Sequence, residues 1–492
     1  MPLEVSLRDC VGVVDCGLRC VYRILCVYSL TILKEYHTIA AMRMFTFKGG
    51  VYPPERKTHT RDGTVEDAFP SSKRVTIPVT MGGSPNECTV NVGDRVVKGQ
   101  VIAASDKYMS VPVHASITGT IAQIAPHTVA GGAQVPCVTI ESDGSDETSY
   151  MSPLDPFACD TKDALDRIRN AGIVGMGGAS FPTYVKLSPP DGTKIEYVIA
   201  NAAECEPYLT VDYHTVKESC KKMIDGLAIE MHILGARGIV ALENNKLDLI
   251  NVINEAIAEA NHTNDIEIKI VKTKYPQGGE KNLITAILKR EVPAGGLPAH
   301  VGCIVSNVCT ACAISDAFRL GKPLIERAFT VSGGACENPA NLRVPVGTLV
   351  EDLIGDVIRI KDDELVQILS GGPMMGVASA DASFPVVKGT SGVLFLTKKE
   401  IHIGEEGLCL GCGRCIPPCP MRLSPVMMAR SLKANDYDAA VRFGLMDCIE
   451  CGSCAYVCPA RVRLVYRFKL GKGVVKARAA KKNAAGKAAG GK

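Results

Sequence analysis

The pattern of apolar and polar positions changes several times along the chain, and each change predicts a different kind of structure. Residues 44–157 contain short β-branched runs separated by glycine and proline, which is typical of strands joined by tight turns. Residues 158–325 alternate helical and strand-like segments, as an α/β sandwich does. Short strands return in residues 326–400, and residues 401–468 place helical stretches among cysteine runs. The fold class is therefore predicted to be multidomain α/β, with additional β and helical domains.

Individual elements are clearest in the α/β segment, where amphipathic helices alternate with buried β-branched strands. Gly172 is expected to end the first of these helices, because glycine adopts the left-handed conformation needed there. The predicted helices cover residues 163–170, 216–234, 247–260, 425–433 and 437–443. The predicted strands cover residues 75–79, 89–92, 95–97, 100–103, 196–200, 238–242, 266–271, 329–331, 342–345 and 393–396.

The two ends of the chain differ from the segments between them. Residues 1–43 are expected to be an atypical extension outside the fold, with Met42 or Met44 as the working start. The apolar stretch at residues 21–33 is too short to cross a bilayer, and it lacks a signal-peptide cleavage site. Residues 469–492 have no acidic residue and are predicted to be a basic disordered tail, serving solubility or attraction to anionic lipid. Irregularly spaced cysteines in the extension leave a metal site there as an alternative: Cys10, Cys16, Cys20 and Cys26.

Composition narrows the functional classes. A net charge of +3, with no tryptophan and 5% aromatic residues, argues against nucleic-acid binding. Of the 21 cysteines, those outside two dense runs lack paired spacing, which favours a reducing compartment over a disulfide framework. The cytoplasm is the expected location.

The two dense cysteine runs are the most specific chemical signal. Each has the spacing C-x2-C-x2-C-x3-C-P that is typical of two-cluster ferredoxins. Three cysteines of a run bind one [4Fe–4S] cluster, and the fourth reaches the other cluster. A pair of tetrathiolate zinc sites is the alternative, although zinc sites normally use two CxxC pairs. The predicted ligand sets are Cys409, Cys412, Cys415 and Cys458 for one cluster, and Cys419, Cys448, Cys451 and Cys454 for the other.

A glycine-rich turn and three later loops form a second candidate site. The turn runs from Gly175 through Gly177 and Gly178 to Lys186, and such a turn can offer backbone N–H groups and a cation to a phosphate. It lacks the Rossmann pattern, so a tight helix–loop connection is the alternative. The three later loops carry polar groups beside predicted strand ends or helix starts, at residues 201–207, 275–281 and 305–310.

The four loops, in this order, resemble those of the flavin- and NADH-binding subunit of respiratory complex I. Residues 45–470 as a whole resemble the C subunit of Rnf (Rsx) ion-translocating electron-transport complexes, including the opening Phe47-Lys-Gly-Gly-Val-Tyr-Pro-Pro-Glu. The resemblance implies a barrel-sandwich (lipoyl-like) domain, a complex I-like FMN/NADH domain, a β-grasp SLBB domain and a helical ferredoxin domain. The implied cofactors are FMN, NAD(H) and two [4Fe–4S] clusters.

The resemblance also assigns residues to the flavin site. FMN is expected around Gly175, Gly177, Lys186, Asn201, Glu204, Gly278, Asn307 and Thr310, while Phe181, Glu206 and Glu280 match positions near the nicotinamide. No side chain is assigned as a catalytic acid or base. Ala203 and Gly279 depart from the complex I loops, where an aspartate and a glutamate stand.

Two other features have simpler interpretations. The barrel-sandwich domain resembles lipoyl and biotin carriers, but no Met-Lys-Met is present, so Lys107 is not expected to carry a swinging arm and the domain is taken as structural. Cys309 and Cys312 have CxxC spacing without a matching second pair, so they are expected to be ordinary buried residues, with metal ligation as the alternative.

The sequence as a whole predicts a peripheral protein at the cytoplasmic face of the cell inner membrane. It would act as an NADH:ferredoxin-type oxidoreductase, in which FMN exchanges a hydride with NAD(H) and the clusters carry single electrons. Its expected partners are the membrane-embedded and peripheral subunits of an ion-translocating complex, with ferredoxin reached indirectly. The alternative is a non-catalytic iron–sulfur relay, which could also supply electrons to a redox-sensing regulator.

Overall fold

A computed structural model of the chain describes residues 43–401 and 404–489, with side chains as far as residue 482 in the last helix. The extension at residues 1–42 lies outside the described residues, and so do its four cysteines. The described residues belong almost entirely to one compact unit that begins at Phe45.

The strands are short, as the glycine- and proline-punctuated sequence predicts. In chain order they are β1 Val65–Asp67, β2 Arg74–Pro78, β3 Glu87–Cys88, β4 Arg95–Val96, β5 Val101–Ala104, β6 Val113–His114, β7 Gly119–Thr128, β8 Gln134–Ser142, β9 Tyr197–Ala202, β10 Arg237–Glu243, β11 Ile266–Val271, β12 Cys303–Asn307, β13 Glu326–Ser332, β14 Ala340–Pro345, β15 Leu365–Ser370, β16 Val377–Ser379 and β17 Gly392–Thr397.

The helices concentrate in the α/β segment and in the cysteine-rich segment. In chain order they are α1 Thr58–Arg61, α2 Thr161–Asn170, α3 Thr183–Lys186, α4 Val211–Leu234, α5 Ile250–Glu259, α6 Glu280–Leu288, α7 Val308–Arg319, α8 Val350–Leu353, α9 Pro425–Lys433, α10 Tyr437–Arg442, α11 Ser453–Tyr456 and α12 Leu464–Ala489. Short 3₁₀ turns occur at Leu247–Leu249, Pro298–Val301 and Leu445–Asp447.

The first β domain consists of two small sheets around a common apolar core. One sheet has the order β2-β8-β7-β4 and the other has the order β3-β5-β6, and every pairing within them is antiparallel. The strand expected at residues 89–92 is wrong. The chain turns there, because the Asp94 carboxylate accepts the Asn91 N–H at 2.7 Å and closes a tight turn.

The α/β domain is built on a parallel sheet with the order β11-β10-β9-β12. Because its strands all run the same way, their carboxyl ends and the following loops lie along one edge, where ligand sites of such folds collect. Helix α4 begins at Val211, five residues before the expected start, and is kinked at Ser219. Gly172, which follows α2, has a φ of +66°, as expected of a helix-ending glycine.

A six-stranded mixed sheet follows, with the order β1-β14-β13-β17-β15-β16. Its first strand comes from residues 65–67, far earlier in the chain, and pairs in parallel with β14. Val51 likewise forms an antiparallel bridge with Tyr275 of the α/β domain. The first 23 described residues of the compact unit (45–67) therefore lie against later domains. The β-grasp assignment of this sheet stays a prediction.

The cysteine-rich segment folds as helices α9 to α12 around a small core that contains Met428, Leu445 and Phe468. The predicted disorder of residues 469–492 is wrong as far as Ala489, because α12 continues through these residues. Alanine and lysine are strong helix formers, and Val475 packs against the same core. The helix is thus anchored by its first turns.

Candidate functional site

Four cysteines surround one small cavity in the helical domain. Cys419 of the first run lines it together with the first three cysteines of the second run, Cys448, Cys451 and Cys454. Burial raises the pKa of Cys448 to about 11, and the neighbouring Cys451 and Cys419 thiols add to the rise. Four thiolates gathered in so small a space repel one another unless bound cations stabilise them. The donor set fits a [4Fe–4S] cluster.

The remaining cysteines form a more open group. Cys409 and Cys412 are exposed, while Cys415 is partly buried. Burial raises the pKa of Cys415, with additional contributions from the nearby Cys458 and Cys409 thiols. The structure therefore brings Cys458, from the end of the second run, to the first run. Within residues 43–401 and 404–489, no group of three or more His, Cys, Asp or Glu side chains is placed closely enough to hold a single metal ion.

The glycine-rich turn lies against the start of helix α7. Gly177 and Gly178 are exposed, and the Met176 N–H donates to the Thr310 hydroxyl at 3.0 Å. A Cβ added to Gly177 would come within 3.0 Å of the Asn307 amide nitrogen, so the turn fits closely over this side chain. Exposed N–H groups beside a helix N-terminus are a suitable cradle for a phosphate. Phe181 completes the turn as a 41% exposed aromatic ring.

Lys186 ties this turn to two other elements. Its ammonium group donates to the Val305 carbonyl of β12 at 2.5 Å and forms an ion pair of 2.9 Å with Glu280. Glu280 is the first residue of α6. The cation is therefore held at the carboxyl edge of the sheet, where it is about one-third exposed.

Asn201 joins the end of β9 to the loop that precedes α6. Its amide nitrogen donates to the Gly278 carbonyl at 2.9 Å, and its side-chain oxygen accepts the Ala203 N–H at 3.1 Å. Gly278 passes so close to this loop that an added Cβ would lie 2.1 Å from the Ala203 carbonyl oxygen. Only glycine permits this approach of two backbones.

Two of the expected flavin-site carboxylates are engaged elsewhere. Glu204 is buried, accepts the Asp212 N–H at 2.8 Å and lies 3.4 Å from the Lys57 ammonium. Glu206 accepts the N–H groups of Met374 and Met375, each at 3.0 Å. Burial raises the pKa of Glu206 to about 7, although these hydrogen bonds oppose the rise. The structure does not group these two carboxylates with Lys186 and Glu280.

Sequence reasoning missed Glu230, which lies in the last third of helix α4. It is 1% exposed, and within the described part of the chain neither of its carboxylate oxygens has a hydrogen-bond partner. Burial raises its pKa to about 7, and the positive charge of the Lys186 ammonium opposes the rise. A glutamate inside the apolar run Gly226-Leu-Ala-Ile-Glu-Met was the available signal.

Tyr275 was also missed, because its partner is remote in sequence. It is 1% exposed, and its hydroxyl donates to the Cys451 carbonyl at 2.7 Å. The loop that carries Gly278 and Glu280 is therefore in direct contact with the second cysteine run.

Cys309 and Cys312 are held within helix α7. The Cys309 thiol donates to the Asp212 carboxylate at 3.4 Å, and burial raises its pKa to about 12. Asp212 in turn accepts the Asn307 amide at 3.0 Å. Burial, together with the negative charge of Glu204, raises the pKa of Asp212 to about 6. These contacts orient Asn307 beneath the glycine-rich turn.

Comparison with known families identifies three domains. Residues 45–145 match the RnfC barrel sandwich hybrid domain, residues 168–316 match the Nuo51 FMN-binding domain, and residues 402–459 match the 4Fe-4S dicluster domain. A flavin-type α/β domain joined to a dicluster domain defines an electron-transferring component of an oxidoreductase.

Curated relatives identify the family within this class. The C subunit of the proton-translocating ferredoxin:NAD(+) oxidoreductase complex of Clostridium ljungdahlii is 42% identical over 82% of this chain and 88% of its own length. The C subunit of the Na(+)-translocating complex of Acetobacterium woodii is 40% identical over 82% of this chain and 90% of its own length. The C subunit of the ion-translocating oxidoreductase complex of Rhodobacter capsulatus is 37% identical over 90% of this chain and 85% of its own length. The chain belongs to this family of C subunits, as the sequence predicted.

A solved structure also shows a likeness. The crystal structure of NAD+-reducing [NiFe]-hydrogenase in the H2-reduced state matches 64% of this chain and 61% of its own chain, with a TM-score of 0.44 and 18% identity. Among the helices that the structure describes, none has both the length and the apolar character needed to cross a bilayer.

Proposed function

We propose that this protein exchanges a hydride between NAD(H) and FMN bound at its α/β domain, and passes single electrons through two [4Fe–4S] clusters. The observation that supports this most directly is the convergence of the glycine-rich turn, Lys186 and Glu280 at the carboxyl edge of the parallel sheet. When bound, FMN converts between two-electron hydride chemistry and one-electron transfer. The chain's own residues supply binding, orientation and electrostatics.

The phosphate end of the flavin would lie at the glycine-rich turn. The exposed N–H groups around Gly177 and the N-terminus of α7 are suited to an anion, and Lys186 adds a positive charge. Asn307 and Thr310 hold the turn from below. Asn201 and Gly278 fix the loop on the opposite side of the site.

The nicotinamide side would be formed by Phe181 and Glu280. Phe181 offers an exposed aromatic face to a planar ring, and Glu280 offers a carboxylate to a ribose or an amide. Glu204 and Glu206 would not contact the nucleotide, since their oxygens accept hydrogen bonds from other parts of the chain. Their role in this proposal is to hold the surrounding loops in place.

The clusters would use the two crossed cysteine sets, Cys409/Cys412/Cys415/Cys458 and Cys419/Cys448/Cys451/Cys454. The relatives named above belong to ferredoxin:NAD(+) oxidoreductase complexes that translocate protons or Na+. By analogy, partner subunits would couple electron transfer to ion movement, with ferredoxin reached through them. The protein would then sit peripherally on the cytoplasmic face of the cell inner membrane.

An anaerobic absorbance spectrum of the reconstituted full-length protein, recorded before and after NADH is added, tests this function. We expect flavin bleaching on NADH addition, with about four irons for each of two clusters. Protein that holds iron but no flavin, or flavin unaffected by NADH, would overturn the hydride proposal and leave the non-catalytic relay. The substitutions at Ala203 and Gly279 are the features that favour that alternative.

A further inference from the structure

The contact between Tyr275 and Cys451 joins the two candidate cofactor regions. Tyr275 lies three residues before Gly278, on the loop that leads into α6. Its hydroxyl donates to the main-chain carbonyl of Cys451 at 2.7 Å, and both residues are buried. A buried carbonyl left without this donor would lose a hydrogen bond that water cannot readily replace.

The surroundings of this hydrogen bond are closely packed. Val51, Tyr275 and Cys451 form a small apolar core, with Cys205 and Met374 packed against it. The Cys205 sulfur accepts the Gly278 N–H at 3.3 Å. Packed and hydrogen-bonded groups therefore connect Gly278 of the flavin-site loop to Cys451 of the second cysteine run.

Glu206 also helps to hold the Cys448–Cys454 segment in place, through Met374. Its carboxylate accepts the Met374 and Met375 N–H groups, and the Met374 carbonyl lies against Gly452, 3.1 Å from the position of an added Cβ. From the other side, the Lys472 ammonium donates to the Cys448 carbonyl at 2.5 Å. By contrast, Cys409 and Cys412 of the first run are exposed.

We propose that Tyr275 is a positioning residue that fixes the Cys451 main chain against the flavin domain, so that the cluster held by Cys419, Cys448, Cys451 and Cys454 is the one that exchanges electrons with the flavin. The other cluster, with its exposed cysteines, faces the external electron partner. This inference rests on the proposed function. Hydrogen bonds and packing around a ligand tune both the position and the potential of a metal centre.

Oxidation of one NADH requires two one-electron acceptors, and the two clusters together meet this requirement. One NADH loses a hydride and leaves as NAD+, which supplies two electrons. FMN would accept that hydride, and on reoxidation it would give one electron to each [4Fe–4S] cluster and release the proton to water. Because the proposal places the cluster beside Tyr275 next to the flavin, the electron that reaches the exposed cluster passes through it.

A Tyr275→Phe variant of the full-length protein tests the positioning role. It keeps the ring and removes only the hydroxyl. In redox titrations followed by EPR, we expect the spectrum or midpoint potential of one cluster to shift while the other stays unchanged. Reduction of that cluster by NADH should slow severalfold, with flavin bleaching unaffected. Tyr213→Phe is the matched control, because Tyr213 is a buried tyrosine whose hydroxyl donates to the Asp248 carboxylate rather than to a cysteine run.

The order in which the clusters receive electrons is tested separately, with two double variants. One replaces Cys409 and Cys412 by alanine, and the other replaces Cys448 and Cys451 by alanine. Without Cys409 and Cys412, the remaining cluster should still be reduced by NADH. Without Cys448 and Cys451, the remaining cluster should be reduced by dithionite and no longer by NADH. The inference is overturned if NADH reduces the remaining cluster only in the variant that lacks Cys448 and Cys451. It is also overturned if the EPR spectra and midpoint potentials of both clusters are unchanged in Tyr275→Phe. If NADH bleaches no flavin in the unmodified protein, the proposed function fails, and the EPR shift under dithionite still tests Tyr275.

Discussion

The Lys186 ammonium lies 2.9 Å from the Glu280 carboxylate and connects the glycine-rich turn to the first residue of helix α6. Both side chains are about one-third exposed, so the pair itself contributes little to stability. Its main effect is to hold a cation at the carboxyl edge of the parallel sheet, where the ammonium also donates to the Val305 carbonyl.

The first prediction concerns Lys186→Met. Loss of a charge-assisted contact to a phosphate costs about 1.5–3 kcal/mol, so FMN affinity should fall by about 10- to 100-fold. Titration of flavin-free protein with FMN, followed by fluorescence quenching, measures this. Lys162→Met, which removes an exposed lysine on helix α2, should leave the affinity unchanged. Equal affinity in the Lys186 variant would show that the phosphate binds elsewhere.

The second prediction concerns the pH dependence contributed by Glu230. Its folded-state pKa is raised from 4.5 to about 7, so the folded protein holds the proton more tightly than the unfolded chain. Its contribution to stability is therefore full below about pH 4.5, declines as the pH rises, and is lost above about pH 7. The difference is about 3 kcal/mol at most.

Glu230→Gln removes this titration. Relative to the unmodified protein, the variant should gain stability between about pH 4.5 and pH 7, as followed by thermal and denaturant unfolding. A constant difference between the two proteins across this range would contradict the assignment. The comparison cancels the titration of other buried carboxyls, such as Glu206 and Asp212.

The third prediction distinguishes crossed from uncrossed cluster ligands. Cys419→Ala combined with Cys451→Ala should disrupt one cluster only and leave about four irons per chain. Cys419→Ala combined with Cys412→Ala should disrupt both clusters. Iron quantification after anaerobic reconstitution decides between them. If Cys419 served the first run instead, the two double variants would exchange their iron contents.

The fourth prediction concerns the close backbone approach at Gly278. An alanine there would place its Cβ 2.1 Å from the Ala203 carbonyl oxygen, so the loop must shift. Such overpacking costs about 1–3 kcal/mol, and the displaced loop should also lose flavin. Gly178→Ala is the control for stability, since nothing lies within 4 Å of its added Cβ. Equal unfolding midpoints for the Gly278→Ala and Gly178→Ala variants would argue against the close contact between Gly278 and the Ala203 carbonyl.

Elements with strong local signals were predicted well. Strand β11 and helix α9 have the expected bounds, because a β-branched run and a proline at the helix start mark them in the sequence. Helix α4 begins earlier than expected, since Val211, Tyr213 and His214 in its first turns are buried by other segments rather than arranged on one apolar face. Periodicity alone could not identify that start.

The site was predicted unevenly for the same reason. Spacing along the chain predicts the crossed cysteine sets, since their geometry follows from a local repeat, and the structure brings the cysteines of each set close together, while cluster ligation stays a prediction. The partners of Glu204 and Glu206, Lys57 and Met374, are about 150 residues or more away in sequence, so the loop pattern could not reveal that these carboxylates are engaged. Tyr275 and Cys451 are similarly distant.

The binding of residues 49–51 to segments that are much later in the sequence has a consequence for biosynthesis. Gly50 donates its N–H to the Pro418 carbonyl, and Val51 exchanges hydrogen bonds with Tyr275. Gly50 is translated about 370 residues before Pro418, which corresponds to about 20–75 s at usual rates of chain elongation. During that time this apolar, glycine-rich segment has no completed binding surface on the nascent chain. Final docking of the N-terminal segment therefore follows synthesis of the first cysteine run and depends on the folding of the cluster-binding domain.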